Sequence, residues 1–191
     1  FQSGNGEYEV SVLENISGNK YRIVYKKNVT LNISDSRIVY LQSVQPVNWN
    51  ADMKAVRKAG ELTAGLKNDR EKSEAVYNYV VNTLSYDNEK IGELSTDYVP
   101  SVEAVFAGSK GICYDYAVLT AAMLRSIGIP AKLVMGYKDD IEAYHAWNQV
   151  YIKESGKWIT IDTTYDSILK DSKRAAEMEK DADLYKIERQ Y

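Results

Sequence analysis

The tripeptide Gly128-Ile129-Pro130 separates two hydrophobic rhythms, and no other feature of the chain constrains its folding as much. Before it, residues 111–128 repeat at helical spacing: Tyr116, Leu119, Ala122, Met123 and Ile127 fall on one apolar face. Gly128 suits a helix C-terminal stop, and Pro130 prevents continuation. After it the period shortens. Residues 131–137 read as a buried-type strand. Residues 145–152 and 157–161 read as two more strands around the turn Glu154-Ser155-Gly156. One helix and then closely linked strands are expected.

Upstream, Met53, Val56, Ala59 and Leu66 predict a helix over residues 52–66, weakened by Gly60 and Gly65. A better helix, capped by Asp69, carries Val76, Tyr79, Val80 and Thr83 on one stripe and ends near Ser85-Tyr86-Asp87. A polar loop over residues 88–100 leads to a short helical turn, 101–106, closed by Gly108. The first segment, 7–47, alternates. Tyr8, Val10 and Val12 precede the turn Ser17-Gly18-Asn19. Tyr21, Ile23 and Tyr25 follow it, then Val29, Leu31 and Ile33, and a fourth stretch over residues 38–41. This predicts a small antiparallel β segment ahead of a domain spanning residues 48–191. Asn15, Asn28 and Asn32 each open an N-x-Ser/Thr triplet, a short pattern that also arises by chance. Phe1-Gln2-Ser3 resembles the end of a protease-cleaved tag, so residues 1–6 are expected to be a disordered start, and a native leader could have been trimmed. The tail from Asp166 is charged and expected to be partly helical, with Leu184, Tyr185 and Ile187 as a last packing segment.

Composition narrows the function classes. With 24 Lys+Arg against 27 Asp+Glu, the chain has no basic footprint for nucleic acid. No apolar run approaches the ~18 residues needed to span a membrane. A single Cys excludes an internal disulfide and any multi-Cys metal cluster, and a single His excludes paired-His zinc motifs. Neither a metal nor a cofactor is expected. Sixteen Tyr against two Phe suit half-exposed strands and grooves.

Chemistry concentrates on three residues. Cys113 lies two residues after Gly111, in the first turn of the predicted helix, where unpaired N–H groups and the helix dipole favour thiolate. Asp115 opposes this modestly, and a buried inert Cys fits the helix equally well. His145 opens a strand. Asp162 ends the returning one, on the face shared by Trp158 and Thr160. For any even number of loop residues, His145 and Asp162 fall on the same side of the sheet, opposite or one diagonal step apart. A carboxylate there can hold an imidazole tautomer. A helix-start Cys, a strand His and a next-strand Asp together form the arrangement of cysteine hydrolases and thiol acyl transferases.

The run Gly111-Ile112-Cys113-Tyr114-Asp115-Tyr116-Ala117 resembles the nucleophile motif of the transglutaminase-like superfamily. Arg125-Ser126-Ile127-Gly128-Ile129-Pro130-Ala131-Lys132 is similar to its Arg-x-x-Gly-Ile-Pro-Ala-basic continuation, and Gly136-Tyr137 to the end of its next strand. His145-Ala146-Trp147 with Val150-Tyr151 resembles its histidine strand, and Trp158 with Asp162-Thr163-Thr164 its Trp…Asp-Pro-Thr segment. Gln149 departs from the usual acid and Thr163 from the usual Pro; these bear on substrate preference, not fold. The resemblance covers about half the chain, and its motifs stand in order.

It implies a papain-like α+β fold, the transglutaminase core, with the nucleophile helix packed on an antiparallel sheet. It also implies Cys113 as nucleophile, His145 as base then acid, and Asp162 as orienter. The N–H of Cys113 would serve an oxyanion hole, with Tyr86 as candidate second donor. A substrate groove is expected along Tyr114, Tyr144 and Trp147. The expected activity is cysteine-dependent hydrolysis or acyl transfer on peptide or protein amides, with hydrolysis favoured. The alternative is a catalytically silent, protein-binding or cell-surface module that keeps the fold. A redox role is disfavoured, because no second Cys can resolve a sulfenic acid. A bacterial extracellular or cell-surface location is the expectation.

Overall fold

The computed structural model describes residues 4–170 and 177–191. The chain forms two compact units, the first ending at Val39 and the second running from Tyr40 to Tyr191. The division thus falls before residues 40–47, which were expected to belong to the first segment.

The first unit is a hairpin of β1 (Gly6–Ser17) and β2 (Lys20–Leu31), paired antiparallel. Gly18, at φ +52°, takes the left-handed turn position. A bulge between Val12 and Leu13 shifts the register, so that Val12 faces Tyr25 and Leu13 faces Ile23. Two strands form, not four. The third alternation is largely the far half of β2. The fourth is a 3-10 turn, Ser36–Leu41, because the Asp35 carboxylate accepts the Arg37 N–H and clamps its guanidinium. The start is ordered from Gly4 onward: the Asn5 side chain bonds both the N–H and the C=O of Ile33. The expected tag remnant, Phe1-Gln2-Ser3, lies outside the described residues.

The second unit is α+β. Its helices are α1 (Lys54–Thr63), α2 (Asp69–Thr83), α3 (Val102–Gly108), α4 (Cys113–Ser126) and α5 (Thr163–Leu169). A two-residue parallel pair joins β3 (Ser85–Tyr86) to β4 (Lys110–Gly111). The main sheet contains β5 (Ala131–Lys138), β6 (Ile141–Ile152), β7 (Lys157–Ile161), β8 (Glu179–Lys180) and β9 (Tyr185–Gln190). Its order is β8-β7-β6-β5-β9, with every pairing antiparallel.

Helix α4 is the centre of the unit. Every residue from Asp115 to Arg125 is buried, because β5 and β6 pack on one side and the other helices on the rest. A single apolar stripe was expected; enclosure on all sides buries Val118, Thr120, Ala121 and Leu124 as well. Asn148 on β6 ties this helix to the sheet, its amide donating to the carbonyls of Ala117 and Lys132. Arg125, 2% exposed, donates to the carbonyls of Ala131, Gln42 and Tyr191. Burial lowers its pKa to about 10, still far above neutrality.

Several local expectations shift. The cap of α2 is Asn68, whose side chain accepts the Glu71 N–H. The buried face of α2 is Ser73, Val76, Tyr77, Val80 and Val81, while Thr83 is exposed. Gly108 remains helical, and Ser109 takes the left-handed closing position at φ +50°. The chain after Asp162 supplies α5, and then β9, which pairs with β5 across a bulge beside Gly136. A Cβ at Gly136 would run into the Lys186 carbonyl, so the strand can seat only over glycine. Residues 171–176 of the expected charged tail lie outside the described residues.

Candidate active site

Cys113 opens α4. It is half-buried, and the N–H groups of this first helical turn have no intrahelical acceptors. The helix start is held from two sides. The parallel pair sets Tyr86 beside Gly111, and the Asp87 N–H donates to the Gly111 carbonyl. Asp115, fully buried, reaches back to accept the Ile112 N–H at 2.8 Å. A side chain at Gly111 would collide with Asp115 at 2.6 Å, which explains the glycine.

Asp115 is not an isolated charge. Lys90 Nζ donates to it at 2.7 Å and the Tyr98 hydroxyl at 2.5 Å. Burial opposes the charge on Lys90, but these bonds outweigh burial and raise its pKa. The expected antagonism between Asp115 and a thiolate is therefore offset by an ammonium on the loop before α3. The composition of that loop gave no sign of this.

The hairpin of β6 and β7 carries the other two residues. Its turn holds four residues between the paired Ile152 and Lys157, an even number, and Asn148 stands opposite Ile161. His145 and Asp162 therefore lie on one face, a diagonal step apart. His145 Nε2 and Asp162 Oδ2 are 2.7 Å apart, at 5% and 0% side-chain exposure. The other carboxylate oxygen caps α5, accepting the Tyr165 N–H at 3.0 Å. Tyr185 of β9 donates its hydroxyl to Oδ2 at 3.2 Å. With Nε2 taken by the carboxylate, Nδ1 is the ring nitrogen left to face the Cys113 thiol, which stands near enough to influence the ring's ionisation. Burial disfavours the charged imidazole, but the bonds and charges of Asp162 and Cys113 prevail and raise its pKa to about 9.

A cavity of about 260 Å³ opens beside this row, with Cys113, His145, Tyr86 and Tyr144 among its lining residues. Burial raises the Tyr86 phenol pKa, and the neighbouring Cys113 charge raises it further. Two groove candidates sit elsewhere. Trp147 is 1% exposed and lies beneath the site, stacked on His145 with ring centroids 6.1 Å apart and meeting the tilted ring of Tyr185 at 5.0 Å. Tyr114 pairs edge-on with Tyr98 and is not part of the cavity wall. Strand parity explains Trp147: it shares the face of His145, and there the Tyr185 side chain, brought in by β9 at the sheet edge, packs against it. Tyr185 itself was readable only as a packing residue, because its bond to Asp162 depends on β9 pairing across the bulge. No group of three or more His, Cys, Asp or Glu suited to a metal occurs among the described residues, and no described helix is long and apolar enough to cross a membrane.

The chain is similar to known proteins over this region. A structure of a proposed cysteine protease from Cytophaga hutchinsonii superposes with a TM-score of 0.56 at 20% identity, covering 83% of this chain and 65% of that one. The periplasmic domain of TgpA from Pseudomonas aeruginosa gives 0.52 at 24% identity, covering 71% and 48%. The protein ML0607 of Mycobacterium leprae (strain TN) is 33% identical over 87 residues, 37% of this chain and 30% of its own length. In each case the chain spans less than two thirds of the other protein. The family model of the transglutaminase-like superfamily matches residues 56–163, more than half the chain, from within α1 to just past Asp162. The chain belongs to the transglutaminase-like superfamily.

Proposed function

We propose that this protein is a cysteine-dependent amide hydrolase acting on peptides or proteins through an acyl-thioester on Cys113. The observation that supports this most is the buried 2.7 Å bond between the His145 ring and the Asp162 carboxylate, with the Cys113 thiol in the wall of the same cavity as that ring. A ring whose pKa stands at about 9 stays protonated at neutral pH and stabilises a thiolate beside it.

The thiolate attacks the amide carbonyl, and the carbonyl electrons move onto oxygen. The Cys113 N–H, free of any helical acceptor, faces that developing charge, with the Tyr86 hydroxyl as second donor. As the tetrahedral intermediate collapses, the C–N bond breaks and His145 gives its proton to the leaving amine. The ring, now neutral, takes a proton from water, whose oxygen attacks the thioester. A carboxylic acid leaves, and thiolate and imidazolium are restored. Asp162 holds the ring orientation throughout. Water is favoured as acceptor because Cys113 is only half-buried; an amine in its place would give a crosslink by the same first step. The proposed cysteine protease from Cytophaga hutchinsonii, similar in fold, accords with hydrolysis. A cell-surface or secreted location of a bacterium fits a protein substrate.

The test is incubation with casein and a primary-amine probe, read by mass. Chain cleavage without probe incorporation is expected, and Cys113→Ala should abolish it while leaving the fold intact. Incorporation without cleavage would replace hydrolysis by crosslinking. Turnover retained in Cys113→Ala would remove the nucleophile assignment.

A further inference from the structure

The cavity beside Cys113 carries a chemical preference that no motif of the chain announces. Its far walls are Ile141 and Ala143, from the start of β6, and Ile168 and Leu169, from the end of α5. Among the described residues, and apart from phenols, the only ionisable side chains in the lining are Cys113 and His145 themselves. Asp140, on the β5–β6 turn, is occupied by the Tyr165 hydroxyl at 2.7 Å and by Lys138. Two large apolar side chains of the lining stand open: Ile168 is 56% exposed and Tyr144 43%. A charged guest would lose its hydration here, and the one cation of the described lining, the His145 ring, is already bonded to Asp162, whereas an apolar guest would cover these exposed carbons.

We infer that this cavity is the subsite for an apolar side chain on the acyl half of the substrate, with Ile168 and Ala143 setting its selectivity. The inference rests on the cysteine-hydrolase reading of the same site. The acyl half remains bonded to Cys113 through both chemical steps, whereas the amine departs after the first. A cavity with Cys113 in its wall therefore serves the acyl group for the whole cycle. The volume of about 260 Å³ lies just below the range of small-molecule pockets and suits one leucine- or phenylalanine-sized side chain better than an extended ligand.

The experiment uses p-nitrophenyl esters of N-acetyl-leucine, N-acetyl-glycine and N-acetyl-aspartate, whose activated leaving group isolates the acyl side. The leucyl ester should exceed the glycyl ester in kcat/KM by about 10–200-fold, the span of a hydrophobic pocket's discrimination, and the aspartyl ester should fall below both. Ile168→Asp should collapse the leucyl-to-glycyl ratio toward unity. Ala143→Leu, which fills the cavity from the opposite wall, should lower the same ratio by a different route. Each ratio is internal to one protein sample, so loss of folded material does not alter it. Equal kcat/KM for all three esters, or ratios unchanged in both variants, would overturn the subsite while Cys113-dependent turnover left the hydrolase reading standing. Ester turnover that persists in Cys113→Ala would overturn the hydrolase reading, and the subsite with it.

Discussion

Replacing Asp162 by Asn tests the site most directly, because His145 is the single histidine of the chain and gives one imidazole signal. In the folded protein that ring is nearly enclosed, at 5% exposure, yet its pKa is raised from 6.5 to about 9. Burial pulls it down; the hydrogen bonds and charges of Asp162 and Cys113 pull it up. The net rise corresponds to roughly 3 kcal/mol of preference for the charged ring. Asn keeps the shape of the carboxylate and loses its charge, while the burial remains. The midpoint should fall on the order of 1–3 pH units, the effect of a carboxylate in direct contact. Histidine-labelled protein followed by NMR across the neutral and alkaline range reads this directly. Stability should follow. A ring whose pKa is raised on folding adds stability that is whole below pH 6.5 and is lost as pH rises through about 9. The wild-type protein should therefore lose up to about 3 kcal/mol over that window in urea titrations, and the variant should lose much less. A wild-type midpoint near 6.5, or the same midpoint in both proteins, would refute the reasoning.

Two further substitutions probe the scaffold. Lys90→Met leaves Asp115 buried without its cation; it should cost roughly 3 kcal/mol, the low end for breaking a buried pair because Lys90 is partly exposed, as read from urea midpoints. It should also slow alkylation of Cys113 by iodoacetamide below neutral pH, since an uncompensated carboxylate then stands two residues from the thiol, and Lys90→Arg should restore much of that rate. Gly136→Ala forces β9 off β5, because the added methyl meets the Lys186 carbonyl and lies 3.1 Å from the Glu188 nitrogen. A loss of about 1–3 kcal/mol is expected, with faster hydrogen exchange along β9.

The parts of the site read most easily from the chain are those governed by short periods. Helix α4 begins at Cys113 and stops before Gly128 as the 3.6-residue rhythm and its breakers require. Parity put His145 and Asp162 on one face for any even turn, and the turn between β6 and β7 holds four residues. The misreadings share a cause. Residues 38–41 alternate like a strand but have no neighbouring strand to pair with, and the Asp35 turn winds them instead. Trp147 has the spacing of a groove residue, yet β9, brought back from the chain end, leaves it 1% exposed.

What the sequence determined by itself is therefore local and periodic: where helix α4 starts and ends, and which strand faces agree, so that His145 and Asp162 meet. The tertiary structure decided which charges meet. Lys90 and Tyr98 reach Asp115 from a loop without periodicity, and Tyr185 reaches Asp162 from a strand that crosses the sheet to its far edge. Such contacts depend on where distant segments return after the core has closed, and residue spacing along a chain holds no record of that distance.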